Sequence, residues 1–212
     1  MNLSKHTARY AIPAAAIAAV STLAVAHPVS AAAPAAVDFR SVAGGPAKPL
    51  GALGPLTDLV IQRILVGDQV AASKFGTDSP IEDPVREAQV LEQVRAQADA
   101  SGVDPDEAGR FFSDQITASK IVQQGLFDRW TSHPEEAPTT RPDLAEIREQ
   151  LDRLTVALLD ELERTQAVRG KPVSCAVQQS LANLTGAATE HLDALHRRAL
   201  TEATHSVCRL GE

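Results

Sequence analysis

The sequence predicts a single all-α domain of about six helices with a C-terminal, disulfide-closed segment. Three observations predict it. Good helix formers (Ala, Leu, Gln, Glu and Arg) are plentiful, while Gly and Pro gather at the ends and at a few breaks. Apolar residues recur at helical spacing in successive windows. No window alternates with the period of a strand, and no internal repeat is present. The 212 residues, 44% hydrophobic and 22% charged, suit one globular domain plus processing segments.

The first helix begins near Leu56, where Leu59, Ile61, Ile64, Leu65 and Val66 set an apolar pattern that runs to about Phe75. Gly76 through Pro80 breaks it. The second has a clear start: Asp83 suits the N-cap, Pro84 the first helical position, and Glu87 the first turn. Val90, Leu91, Val94 and Ala98 carry it to about Ala100, and Gly102 stops it. Asp104, Pro105 and Glu107 repeat the grammar as a capping box, opening a third helix through Phe111, Phe112, Ile116, Ile121, Val122 and Phe127 to Trp130. His133-Pro134 ends it. After a proline-rich loop at 134–142, a long fourth helix runs from Asp143 to about Val168, with Leu151, Leu154, Leu158, Leu159 and Leu162 on its buried face. Gly170, Lys171 and Pro172 interrupt the chain, and two shorter helices fill 175–207.

The N-terminus reads as an export signal. Lys5 and Arg9 precede an apolar, Ala-rich run at 11–26, and Ala24-Val25-Ala26 and Val29-Ser30-Ala31 offer small-residue cleavage sites. The run is shorter than the roughly 20 residues that span a bilayer, which favours a cleaved signal over an anchor. The expected organisation is a signal and cleavage region at 1–36, a flexible linker at 37–55 rich in Ala, Gly and Pro, and the domain at 56–212. Cys175 and Cys208 are the only cysteines. In an oxidising compartment such a pair reads as one disulfide rather than two free thiols. The protein is expected to be secreted or periplasmic, with no membrane association after cleavage.

A net charge of −7 and 3% aromatic residues argue against nucleic-acid binding. His191 and His196 are five apart, not four, so they do not make a helical metal pair, and no metal site is expected. No GxSxG, P-loop or GxGxxG motif occurs.

The chemistry is expected from polar residues set among apolar ones. Arg63 and Lys74 are eleven residues apart on the first helix, three turns plus about 20°, so both lie on one face along the apolar stripe. Such cations need an anionic partner, although periodicity alone reads equally as snorkelling or internal ion pairing. Arg86, Gln89 and Val90 share a face of the second helix. Ser119 and Gln123 form an i, i+4 pair on the third helix, which is also what a solvated face or a buried structural hydrogen bond would show. Arg148 lies one turn into the fourth helix, beside Ile147 and Leu151.

Taken together, Arg63-x10-Lys74, Asp83-x2-Arg86-Glu87 and Ser119-x3-Gln123 resemble the pattern of the all-helical chorismate mutases. The text PIED at 80–83, DPDEAGRFFSDQI at 104–116, FDRW at 127–130 and HLDALHRRALTEATHSVC at 191–208 resembles the secreted subclass of that family. The resemblance covers about 56–208. It implies conversion of chorismate to prephenate by an intramolecular Claisen rearrangement, with no cofactor. It also implies a substrate-binding set of Arg63, Lys74, Asp83, Arg86, Glu87, Val90, Ser119, Gln123 and Arg148. Within that set, Arg63 and Arg148 would bind carboxylates, and Arg86 would lie more loosely at the substrate's edge. Lys74 would meet the ether oxygen and a carboxylate, and Gln123 would donate to the ether oxygen from the other side. Glu87 would accept from the substrate hydroxyl, Ser119 would bind a carboxylate, and Asp83 would orient the nearby cations. Lys74, Gln123 and Arg63 would carry catalysis.

Gln123 departs from those relatives that carry Glu there. A Glu must be protonated to donate, whereas a Gln donates at any pH. The short cytoplasmic members build each site from two chains. Here the extra fourth helix carries Arg148, so a homodimer with a complete site in each chain is expected. Two other readings compete: isochorismate pyruvate lysis in a similar cationic pocket, and an inactive secreted binding protein.

Overall fold

A computed structural model describes residues 48–208. The expected signal region, most of the expected linker and residues 209–212 lie outside the described residues. The described chain forms six helices and no strand: α1 (Gly54–Lys74), α2 (Pro84–Ala100), α3 (Pro105–Ser132), α4 (Leu144–Arg169), α5 (Pro172–Thr189) and α6 (Ala194–Ala203), with a 3₁₀ turn at Pro134–Glu136. None of these helices is long and apolar enough to cross a membrane.

Aspartates start four of the helices. Asp83 Oδ1 accepts from the Arg86 amide at 3.0 Å, and Asp104 Oδ1 from the Glu107 amide at 2.8 Å. Asp143 does the same for α4 and Asp193 for α6. Gly102 ends α2 with φ 74°. There the Val103 amide reaches back to the Ala98 carbonyl at 3.0 Å and the Gly102 amide to that of Asp99, which satisfies carbonyls the helix end leaves open.

α1 is the central helix, packed on α3, α4, α5 and α6. Its Leu56, Val60, Ile61 and Ile64 join Phe111, Phe112 and Val122 of α3, Leu158, Leu159 and Leu162 of α4, and Leu200 of α6 in one core. Burial of such side chains is worth about 1.5–3 kcal/mol each and dominates the stability of the bundle. A smaller cluster of Val66, Ile147 and Leu154 joins α1 to α4. Gly67 lets α3 come close: a Cβ there would lie 3.3 Å from Val122 Cγ1 and 3.8 Å from Ser119 Oγ. Ser119 is thereby held against α1 at the level of Arg63 and Lys74.

Two boundaries correct the sequence reading. Residues 48–53, placed in the linker, pack on α5: the Leu50 amide donates to Thr185 Oγ1 at 2.9 Å, the Ala52 amide to Gln178 Oε1 at 2.8 Å, and Leu53 is fully buried. Their Ala, Gly and Pro content signals a linker, but partners far along the chain satisfy their backbone. α5 begins at Pro172 rather than at 175, because Pro at the first helical position starts a helix as readily as it ends one. Cys175 and Cys208 are disulfide-bonded, with Cα atoms 5.6 Å apart, and tie the start of α5 to the turn after α6.

Candidate active site

α1, α2, α3 and α4 enclose a cavity of about 320 Å³, a size suited to a small molecule. All nine residues of the expected binding set line it. Arg63 and Lys74 come from α1. Asp83, Arg86, Glu87 and Val90 come from the start of α2. Ser119 and Gln123 come from α3, and Arg148 from α4.

Arg63 is 9% exposed, and its guanidinium donates to the Leu151 carbonyl at 3.3 Å and to Thr155 Oγ1 at 3.5 Å. It also stands 5.6 Å from the centre of the Phe112 ring, an attractive cation–π placement. Burial pulls its pKa down to about 10, partly offset by the charge of Asp152, so it remains a cation at neutral pH. Lys74 Nζ donates to the Pro80 carbonyl at 3.0 Å, which fastens the loop between α1 and α2. Burial lowers its pKa from the usual lysine value, Asp83 and Glu87 oppose that shift, and Arg148 adds to it. Among the described residues, Arg63, Lys74, Arg86 and Arg148 have no carboxylate within ion-pair distance.

Gln123 is 4% exposed. Its Nε2 donates to Ser119 Oγ at 3.1 Å and to the Ser119 carbonyl at 3.2 Å, while its buried Oε1 has no partner among the described residues. That oxygen is an acceptor facing no donor, and Gln115 Oε1 in the same wall is likewise unpaired. Asp83 caps α2, and Glu87 answers it: Glu87 Oε1 accepts from the Asp83 amide at 3.3 Å.

The sequence reading omitted six polar lining residues: Ser79, Gln93, Gln115, Lys120, Asp152 and Thr155. Asp152 and Thr155 stood within reach of inference, since they follow Arg148 by one and two turns on α4. Lys120 was hidden by its neighbour, because attention to the Ser119–Gln123 face passes over the residue about 100° away.

The fold and cavity thus define an all-helical protein that offers a small polyanion four cations without ion-pair partners among the described residues, beside two half-paired amides, Gln115 and Gln123. Comparison with known proteins gives that class its family. The chorismate mutase type II family model matches residues 55–124, which span α1, α2 and most of α3 and stop short of Arg148. The secreted chorismate mutase of Mycolicibacterium smegmatis is 38% identical over 157 residues, covering 74% of this chain and 86% of that protein. The secreted chorismate mutase of Mycobacterium tuberculosis is 36% identical over the same length, covering 74% and 78%. The crystal structure of the chorismate mutase from Burkholderia phymatum superposes with a TM-score of 0.71 at 35% identity, over 75% of this chain and 97% of that one. The chain belongs to the chorismate mutase family. It is an isomerase and, with its secreted relatives, a secreted or periplasmic protein.

Proposed function

We propose that this protein converts chorismate to prephenate in the α1–α4 cavity, each chain holding a complete site. The observation that carries this reading is the set of four cations without carboxylate partners, drawn from three helices of a single chain around one cavity. The substrate is a small dicarboxylate, and its rearrangement breaks a C–O ether bond while forming a C–C bond in one step. Nothing covalent passes through the protein. The enzyme holds the compact, chair-like conformer and stabilises the charge that grows on the ether oxygen.

In this reading the forked guanidinium groups of Arg63 and Arg148 bind the planar carboxylates, and Arg86 closes the edge. Lys74 and Gln123 meet the ether oxygen from opposite sides. Ser119 binds a carboxylate, Glu87 accepts from the ring hydroxyl, Asp83 steadies α2, and Val90 supplies apolar contact. Product analysis by NMR tests the assignment. Prephenate is expected. Pyruvate with salicylate from isochorismate would point to lysis instead, and no product from a folded protein would point to a binding role.

The same reading includes a cleaved signal at 1–36 and a homodimer. N-terminal sequencing of the exported protein is expected to begin near Val37, and recovery of an intact Met1 would contradict it. For the dimer, α5 is the supporting feature. It carries no charged residue from Pro172 to Thr189, and Val173, Val177, Leu181 and Leu184 are exposed along one side. Loss of charge with gain of apolar surface marks an interface core, and two acidic chains meet there without like charges facing. Sedimentation is expected to give a dimer that Leu181→Glu dissociates. A monomeric parent protein would contradict this.

A further inference from the structure

Lys120 lies on α3 beside Ser119, and its Nζ is 3.1 Å from Glu87 Oε2 on α2. The pair is sheltered, with side-chain exposures of 28% and 26%. Among the described residues it is the one ion pair formed between two side chains that line the cavity. Lys120 belongs to no part of the expected binding set. We propose that Lys120 is a positioning residue of the site, clamping the Glu87 carboxylate and the start of α2 over the cavity and completing its charge match to a dianionic substrate. This rests on the proposed mutase reading.

Two observations carry it. The first is that the start of α2 has little apolar burial and is held by polar contacts, the Asp83 cap and the Lys74 bonds to the preceding loop. The fully buried residues of α2 are Val94 and Ala98, both in its second half, while Arg86 and Glu87 stand in its first turns. There Val90 and Leu91 pack only partly against the core. Glu87 Oε1 is engaged by the Asp83 amide, so the bond from Lys120 to Oε2 fixes the carboxylate's remaining freedom and ties the helix start to α3. Arg86, the adjacent residue, is placed by the same tie.

The second is charge. The cavity wall carries five cations (Arg63, Lys74, Arg86, Lys120 and Arg148) and three carboxylates (Asp83, Glu87 and Asp152), a formal surplus of two positive charges. A dicarboxylate brings two negative charges. Without Lys120 the match falls short by one.

The test compares the parent with Lys120→Met, Lys120→Arg, Glu87→Gln and Glu87→Gln/Lys120→Met, reading kcat and KM for chorismate and, without turnover, the Kd for chorismate by calorimetry. Lys120→Met is expected to lower kcat/KM by about tenfold or more, the weight of a charge-assisted bond, and to weaken Kd similarly. Lys120→Arg should restore most of the loss. The double variant should fall little below Glu87→Gln alone, because the two residues act as one unit. Circular dichroism and thermal unfolding check that each variant is folded. A Lys120→Met enzyme with parental kcat/KM and parental Kd would overturn the proposal, as would additive losses in the double variant. A parent that binds chorismate but does not turn it over would overturn the mutase reading, while the Kd series still decides the clamp.

Discussion

Gln123 and Ser119 stand one turn apart on α3 and bond to each other, Nε2 to Oγ at 3.1 Å, which leaves the Gln123 carbonyl oxygen buried and unpaired. Nε2 also donates to the Ser119 carbonyl at 3.2 Å, so Ser119 holds the Gln123 head group through both its hydroxyl and its backbone.

Replacing that amide with a carboxyl group makes the donor pH-dependent. Gln123→Glu is expected to be most active near pH 5 and to lose activity steadily toward pH 8, because only the protonated acid donates. The parent enzyme should show no steep loss over the same range. The check is kcat/KM against pH for both proteins, and a variant with full activity at pH 8 would remove Gln123 from the ether oxygen.

Arg63 is a buried cation held by a carbonyl, a hydroxyl and a ring face rather than by an ion pair. Burial of such a cation without a paired carboxylate costs stability. Arg63→Met should therefore lower kcat/KM by about 10²-fold or more while leaving the melting temperature unchanged or higher. A large fall in melting temperature would show that Arg63 is a structural strut instead.

The helices and the cavity wall were legible to different depths. Asp-Pro at 83–84 and 104–105 marks the starts of α2 and α3 because a side-chain cap and a proline's fixed φ act locally. The nine cavity-lining residues of the expected set were legible as a spacing pattern. Lys120 was not, since its position becomes meaningful only when α2 and α3 close on one another. The packing of 48–53 onto α5 was hidden for the same reason. His191 was weighed as a metal ligand. It sits instead at φ 51°, in the left-handed turn that ends α5, a place usually given to glycine or asparagine.

His196 joins α1 to α6 by a further device. Its Nε2 lies 2.9 Å from Asp68 Oδ1 and its Nδ1 2.7 Å from Asp193 Oδ1. Asp68 raises its pKa most, burial opposes the shift, and Asp193 adds to it, for a value of about 9. A raised histidine pKa stabilises the fold fully below the unfolded value of about 6.5, and the contribution fades as pH climbs through 9. Denaturant unfolding of the parent and His196→Gln should differ most at pH 6 and converge by pH 10. A constant gap across that range would mean that the imidazolium charge is not what matters.

The Cys175–Cys208 bond closes a loop of 33 residues. Breaking it with paired alanines should cost about 3–4 kcal/mol of unfolding free energy, the chain-entropy expectation for a loop of this size. Urea titration measures this, and a loss below about 1 kcal/mol would mean that helix packing alone fastens α5 to the end of the chain.

The central claim is that unpaired cations in the α1–α4 cavity rearrange chorismate. The most direct measurement is the loss of chorismate absorbance with the purified exported protein beside its Lys74→Ala variant, both shown folded by circular dichroism. The account predicts turnover by the parent that collapses in the variant. A folded, disulfide-intact parent without turnover, or a variant as active as the parent, would contradict it.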